Sequence, residues 1–411
     1  MSTPQAGQPV APAATRAGVS RLILFATVFF DLLGFGIVIP FLPMYAARLG
    51  IGAGAIGVIL SAYSAMQFIC APLLGRLSDR VGRRPIILLG LFGSSLSYLV
   101  YAMADSFSGL LISRAVHGAC AATISTAQAY VADTTEESKR AQAMGMIGAA
   151  FGLGFVLGPA VGGALGGASL RRPVILAAAL TFVNFVFAAL WLPESGRSVA
   201  NAQRPGDDEL DPAPRRLWVF DLHRSLGRHR ATARLFLIAF LLTFAIASLE
   251  ATFALTVPAV YGYAAAGVGG LLAFAGLVQA IAQGYLLGKL APRTGEAALV
   301  MSGAAVLALG LAPLGSWPSR GALYGMLTLI ALGYGFGSTS VAVLISRRTA
   351  RELQGEALGI NQSVLSLARI LGPIAGGVLY MIGPAKPYLA GAAIAAAAIV
   401  LAAGISHSRA A

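Results

Sequence analysis

The sequence predicts an all-α membrane protein: twelve transmembrane helices in two six-helix bundles related as pseudo-repeats. Three observations predict it. Of 411 residues, 57% are apolar and 11% charged, and the mean hydropathy is +0.78, whereas a soluble domain carries about a quarter charged residues. Apolar runs near the roughly 20 residues that cross a bilayer follow one another with short polar breaks, and twelve can be marked out. Finally, two segments of the first half recur in the second at offsets of 213 and 214 residues.

The elements follow in order. Residues 1–20 form a Pro/Ala/Gly-rich stretch without an apolar core, unlike a cleavable signal peptide. They are expected to be a disordered cytoplasmic tail, with the first span as insertion signal. The N-terminal bundle, residues 21–192, takes spans at 21–47, 54–75, 86–104, 107–132, 142–165 and 173–192. Between spans two and three lies the densely charged GRLSDRVGRRP, residues 75–85, where Gly75 and Gly82 free the backbone for a tight turn. The linker 193–230 is rich in Arg and Pro and carries Asp207, Asp208, Glu209 and Asp211. Within it, Trp218, Leu222 and Leu226 are spaced four apart among basic residues, the pattern of an interfacial amphipathic helix over 216–230. The C-terminal bundle, residues 231–411, takes spans at 231–256, 266–288, 296–315, 320–344, 355–381 and 386–405.

A net charge of +13 raises the question of nucleic acid, and the distribution of the cations answers it. With a cytoplasmic N-terminus and alternating spans, 22 of 29 Lys and Arg fall on the cytoplasmic side, and Arg48, Arg171, Arg172, Arg320 and Lys386 fall outside. That is the positive-inside pattern of an inner-membrane protein with both termini cytoplasmic. Its cationic loops face anionic lipid headgroups, with no nucleic-acid partner needed. Cys70 and Cys120 lie in apolar spans and form no disulfide framework. The four His make no metal site, no GxxxxGK[ST] loop is present and no cofactor is implied. An enzyme is not indicated.

Four charges remain inside the spans: Asp31, Arg114, Glu250 and Arg369. Each costs about 2.5–3.5 kcal/mol at a helix centre on insertion scales, so such residues face a polar cavity or each other. On span four, Arg114, Gly118, Ala121, Ser125 and Gln128 fall near one helical line and predict a cavity-lining face. Asp31 is the acid expected near Arg114. A carboxylate between a guanidinium, which favours its charge, and a dry surrounding, which disfavours it, can exchange a proton. A structural ion pair and direct substrate contact are the other readings of Asp31. Glu250 is read as a second proton carrier or as an attractor of cationic substrate, with Arg369 as its basic neighbour. Gln279 and Gln283 on span eight, and Gln362, Ser366 and Arg369 on span eleven, fit cavity lining and interhelical hydrogen bonding alike. His117, one turn from Arg114, reads as a packed helix residue before a proton relay.

The recurring segments give the two-half architecture. GRLSDRVGRR at Gly75 returns as GKLAPRTGEA at Gly288. AQAMGMIGAAFGLGFVLGPAVGG at Ala141 returns as GEALGINQSVLSLARILGPIAGG at Gly355, with 8 identities in 23. Gly158, Pro159, Gly162 and Gly163 correspond to Gly372, Pro373, Gly376 and Gly377. Parallel repeats with a midplane site between them characterise transporters, and Gly surfaces beside a Pro supply a close seam on which the halves can rock.

GRLSDRVGRR resembles the loop signature of the major facilitator superfamily. DLLGFGIVIPFLP from Asp31, SRAVHGACAA from Ser113 and GFVLGPAVGG from Gly154 resemble signatures of its proton-coupled drug antiporters, with a tetracycline-exporter-like subgroup nearest. Those exporters carry an acid in the third helix where this chain reads Ser97, so the resemblance implies the branch and not tetracycline itself. It implies a cytoplasmic latch in which Asp79 meets the N-terminus of helix eleven and pairs with Arg83, joined by Asp133. A plain positive-inside anchor is the alternative. The repeat copy has Pro292 where Asp79 stands, so any latch is expected to be asymmetric.

The combined expectation is a monomeric secondary transporter exporting small amphipathic compounds in exchange for protons. A nutrient symporter or facilitator is the alternative, and a non-transporting membrane receptor the more distant one.

Overall fold

The computed structural model describes residues 13–121, 123–135, 137–167, 169–194, 232–349 and 354–406. The expected interfacial helix over 216–230 and its acidic neighbours lie outside the described residues. Among the described residues every regular element is helical. The first half contains α1 (Ala13–Val38), α2 (Leu42–Arg48), α3 (Ala53–Val81), α4 (Arg83–Met103), α5 (Phe107–Cys120), α6 (Thr123–Thr134), α7 (Glu137–Gly166) and α8 (Arg171–Trp191). The second contains α9 (Ala233–Tyr261), α10 (Ala265–Ile281), a π-helical turn Ala282–Leu286, α11 (Leu287–Thr294), α12 (Glu296–Leu311), α13 (Arg320–Arg348), α14 (Gln354–Ile382) and α15 (Lys386–Ser406).

Several spans are compound, and the sequence explains why. Pro40 breaks span one at a 3-10 turn over Ile39–Phe41, leaving α2 as its last turns. Span four parts between α5 and α6 at Ala121. Span eight carries the π turn, a rare element frequent at functional sites. The turns between spans two and three and between eight and nine rest on Gly82 and Gly295 at φ 106° and 78°, repeat-equivalent positions that disfavour a side chain.

One expected boundary is corrected. Residues 13–20 belong to α1, so the helical part of the chain starts earlier than the expected tail end at residue 20. Among the described residues, eleven helices are long and apolar enough to span, and the expected ninth span, α12, is a shorter apolar helix of 16 residues. It stops at Leu311 because Pro313 and Gly315, the latter at φ 83°, turn the chain over 312–316.

The GP-containing motifs place the two halves. Gly158 and Gly162 pack on span one, against Gly36, Ile37 and Phe41, while Pro159 and Gly163 face span eight at Gly269 and Ala266. In the copy, Gly372 and Gly376 pack on span seven at Ala247 and Ser248, while Pro373 and Gly377 face span two at Gly57 and Ala53. Successive residues on a helix point about 100° apart, so each motif grips its own bundle with its glycines and the other bundle with the next residue. A Cβ added at Gly57, Gly269 or Gly377 would overlap a backbone carbonyl opposite. Ser61 Oγ also donates to the Ile370 carbonyl at 2.5 Å. These contacts all lie at the end holding the start of span two and the close of span five, and they seal it. At the other end, a Cβ added at Gly75, Gly145, Gly284 or Gly288 would meet nothing within 4 Å. The molecule is closed at one end and open at the end of the charged 75–85 turn.

Candidate functional site

Between the bundles lies a cavity lined by sixteen residues. Phe35 and Pro40 of span one and Pro159 of span five form one wall. Span seven contributes Ile246, Leu249, Glu250 and Phe253, span eight Leu272 and Gln279, and span ten Leu327 and Ile330. Twelve of its sixteen lining residues belong to the second half, so the pocket is mainly a C-terminal surface. It is apolar with one carboxylate and one amide, the composition of a site for amphipathic ligands.

Of the residues expected to line a cavity, Gln279 and Glu250 do. Gln283 packs with Gln279 over Gly335 of span ten, just beyond the cavity. Gln128, Gln362 and Arg369 are exposed side chains outside this lining, and Arg369 lies within electrostatic reach of Glu250. The predicted continuous face on span four is corrected. Arg114 is buried and Gly118 packs against the Tyr63 backbone, while Ser125 and Gln128 beyond the break at Ala121 are exposed. The break turns one expected face into a buried upper part and an open lower part.

Asp31 and Arg114 share a neighbourhood without an ion pair. Both lie within electrostatic reach of the Tyr63 and Tyr98 hydroxyls. Arg114 is only 1% exposed and lies 5.8 Å from the Tyr98 ring centroid and 5.6 Å from that of Tyr101. Its three guanidinium nitrogens have no hydrogen-bond partner, and neither does Asp31 Oδ1. His117 is enclosed by Tyr98, Tyr63 and Phe35, with ring centroids 4.8, 5.0 and 6.1 Å away, and its Nε2 is 3.5 Å from the Tyr98 hydroxyl. Sequence reading missed this aromatic cage. Tyr98 and Tyr101 lie a turn apart on span three, which was a usable signal once Arg114 had been noticed.

The charged turn is a dense cluster. Arg83 pairs with Asp79 at 2.5 Å and through Nε with Asp133 at 3.0 Å, and its Nη1 donates to Ser78 Oγ at 2.7 Å. These are the three residues the resemblance brings together. Glu194 follows span six. It accepts the Arg83 and Arg84 backbone N–H groups at 2.8 and 3.3 Å, so it caps the N-terminus of α4, where a carboxylate is favoured. Asp79 is 61% exposed and turned to solvent at the open end. The repeat copy holds an unforeseen counterpart. Glu296 occupies the position of Arg83 and Arg347 that of Asp133 at offsets of 213 and 214, and the two pair at 2.5 Å with the charges exchanged.

Comparison with known proteins completes the picture. The family model for the Major Facilitator Superfamily matches residues 24–373. The tetracycline resistance protein, class C, of Escherichia coli is 32% identical over 369 residues, covering 87% of this chain and 89% of the relative. Multidrug resistance protein 2 of Bacillus subtilis (strain 168) is 29% identical, covering 90% of each. The crystal structure of the human organic anion transporter MFSD10 (TETRAN) matches with a TM-score of 0.65 and 26% identity over 95% of this chain and all of that one. An inward-facing, unoccupied bacterial homologue of the lysosomal transporter Spinster shares the fold, with a TM-score of 0.73, 17% identity and 96% of each chain covered.

Proposed function

Because the chain belongs to the Major Facilitator Superfamily and is a multi-pass membrane transporter, not an enzyme, we propose that it exports small amphipathic organic compounds, drugs among them, by proton antiport across the inner membrane. The observation that carries the reading is the apolar central cavity with Glu250 on its wall and Asp31 one turn from Phe35 on α1. Tetracycline and multidrug resistance proteins at about 30% identity over most of the chain support the substrate class.

The geometry supports one transport cycle. With 22 of 29 cationic residues on the side of the 75–85 turn, that open end is cytoplasmic and the glycine-sealed end is outside. A lipophilic compound enters from the cytoplasm and covers the apolar walls, a cationic one drawn by the Glu250 carboxylate. Asp31, near the cavity and far from bulk solvent, loses its proton to the cytoplasmic side as the compound binds and regains one when the outside opens. Rocking about the GP seams separates Gly57 from Pro373 and Gly163 from Gly269, and brings the exposed Asp79 to the N-terminus of span eleven. Anionic headgroups sit against the cytoplasmic cations, and a single chain forms the whole path.

The test is a proton-flux assay in reconstituted vesicles with an imposed pH gradient, adding lipophilic compounds to the wild type, Asp31→Asn and Glu250→Gln. Substrate-triggered proton movement that disappears in Asp31→Asn is the expected result. Compounds accumulating without any proton movement would overturn antiport.

A further inference from the structure

Export as described uses Asp31 and leaves the rest of the N-terminal bundle's polar interior unemployed. Among the described residues, fifteen buried side-chain nitrogen or oxygen atoms lack a hydrogen-bond partner, and twelve belong to the first half. They include atoms of Thr27, Asp31, Tyr101, Arg114, His117 and Thr181. In a bilayer no solvent reaches such atoms from outside, and internal water is their usual partner. They also part the bundle's core. Its apolar residues form one cluster around Ile37, Phe41 and Leu110 and another around Leu24, Ile87 and Ile147, whereas the second half has a single continuous cluster.

The unpartnered groups connect to the surface at the sealed end. There Arg171 pairs with Asp105, both exposed, and its Nε donates to the Tyr45 hydroxyl at 2.9 Å. The Tyr45 ring meets Tyr101 edge-on at 5.3 Å, Arg114 lies between Tyr101 and Tyr98, and Tyr98 approaches His117 and Gly34 beside Thr181. Tyr98 in turn lies within electrostatic reach of Asp31. We propose that spans one, three, four and six enclose a hydrated polar seam joining the outer surface to Asp31, with the Arg114 guanidinium as its electrostatic plug.

Each water in such a seam accepts one proton as it hands one on, so only a proton moves. A guanidinium is always protonated, and with no counter-ion in contact its charge opposes a proton passing beside it, as an Arg in a pore excludes cations. The seam thus brings outer water up to the guanidinium on the way to Asp31 while the main cavity opens the other way, and the fixed positive charge keeps it from leaking protons. The antiport reading is needed only for the use of this route, not for its existence.

The test measures passive proton leak in proteoliposomes under a pH gradient with no substrate, so seam and antiport can fail separately. The wild type and Arg114→Lys should be tight, Arg114→Gln should leak several-fold faster, and Arg114→Gln/Tyr101→Phe should return toward wild type. A tight, monodisperse Arg114→Gln, or a leak unaffected by Tyr101→Phe, overturns the proposal. A second arm does not depend on the folding of Arg114 variants. In a Cys70→Ser/Cys120→Ser background, Tyr101→Cys should react with a small water-soluble thiosulfonate, and Tyr388→Cys, whose native hydroxyl is satisfied by Thr256, should not. An inert Tyr101→Cys overturns the seam.

Discussion

The two halves share one repeat and one seam, yet they are built from different materials. The second half has one unbroken apolar core and supplies twelve of the sixteen cavity-lining residues. Among the described residues, the first half has a divided core, twelve of the fifteen unpartnered buried polar atoms, and the Asp31, Arg114 and His117 neighbourhood. Even the shared ion pair differs, Arg83 with Asp133 in one half and Glu296 with Arg347 in the other, polarity exchanged. What was duplicated is helix geometry, held by glycine and proline at matched positions. On the proposed reading, chemistry diverged on top of it, the N-terminal bundle toward proton handling and the C-terminal bundle toward substrate.

The largest expected effect separates these roles. Asp31→Asn should abolish substrate-driven proton flux while substrate still binds, because the cavity wall is mostly C-terminal. Glu250→Gln should instead weaken binding of cationic compounds about tenfold, roughly 1.4 kcal/mol, and leave neutral ones little changed. Binding measured by fluorescence quenching alongside vesicle proton flux decides it. Equal loss of both activities in both variants would erase the division.

The next effect falls on what the halves share. Gly57→Ala places a methyl against the Pro373 carbonyl, an overpacking that costs about 1–3 kcal/mol, all of it in the sealed state. Spin labels across the sealed end should report wider distances and a population shift of about tenfold or more toward the opposite opening. Gly270→Ala, with nothing within 4 Å, is the control and should leave the distances unchanged.

A smaller effect probes the exchanged ion pairs. Arg83 is mostly buried and held by Asp79, Asp133 and Ser78, so Arg83→Ala should cost about 1.5–3 kcal/mol, the range for hydrogen bonds to charged groups. Arg347 is 64% exposed, and Arg347→Ala should cost about 0.2–1 kcal/mol. The double swap Glu296→Arg/Arg347→Glu, which gives the second half the first half's polarity, should recover most of what Glu296→Arg alone loses. Reversible unfolding in mixed micelles reads all four.

How much of this was legible beforehand depends on whether periodicity or packing decided it. The succession of helices and the two halves followed from apolar runs and an offset, and the Asp79, Arg83 and Asp133 cluster from the family resemblance of the charged turn. Glu250 and Gln279 were found because polar groups in apolar spans are conspicuous. The Asp31 and Arg114 pair was not formed, because sequence places two charges at similar depth without saying which side chains share the space, and the Tyr63 and Tyr98 hydroxyls lie within electrostatic reach of both. The span-four face failed at Ala121, where the helix breaks without a proline to announce it. Glu296 stood in the alignment that drew attention to Pro292, while its partner Arg347 lay outside both recurring segments. Matching for identity hid the pair, since a swapped pair keeps the bond and loses both letters.

The smallest effect bears most directly on what fills the N-terminal interior. In the second half the Tyr388 hydroxyl meets Thr256 Oγ1 at 2.5 Å, and Thr256 bonds onward to the Thr252 carbonyl at 3.0 Å. In the first half the equally buried Tyr101 hydroxyl has no protein partner. Tyr388→Phe removes a protein–protein hydrogen bond and should cost about 1 kcal/mol, while Thr256 keeps its other acceptor. Tyr101→Phe removes only what water supplies, and because that water can relax onto Arg114 the loss should be about half as large or less. Unfolding free energies of the two variants, measured side by side in one micelle system, check the order. If Tyr101→Phe costs more than Tyr388→Phe, the first half's hydroxyls are bound as firmly as the second's, and the contrast between a wet bundle and a dry one fails.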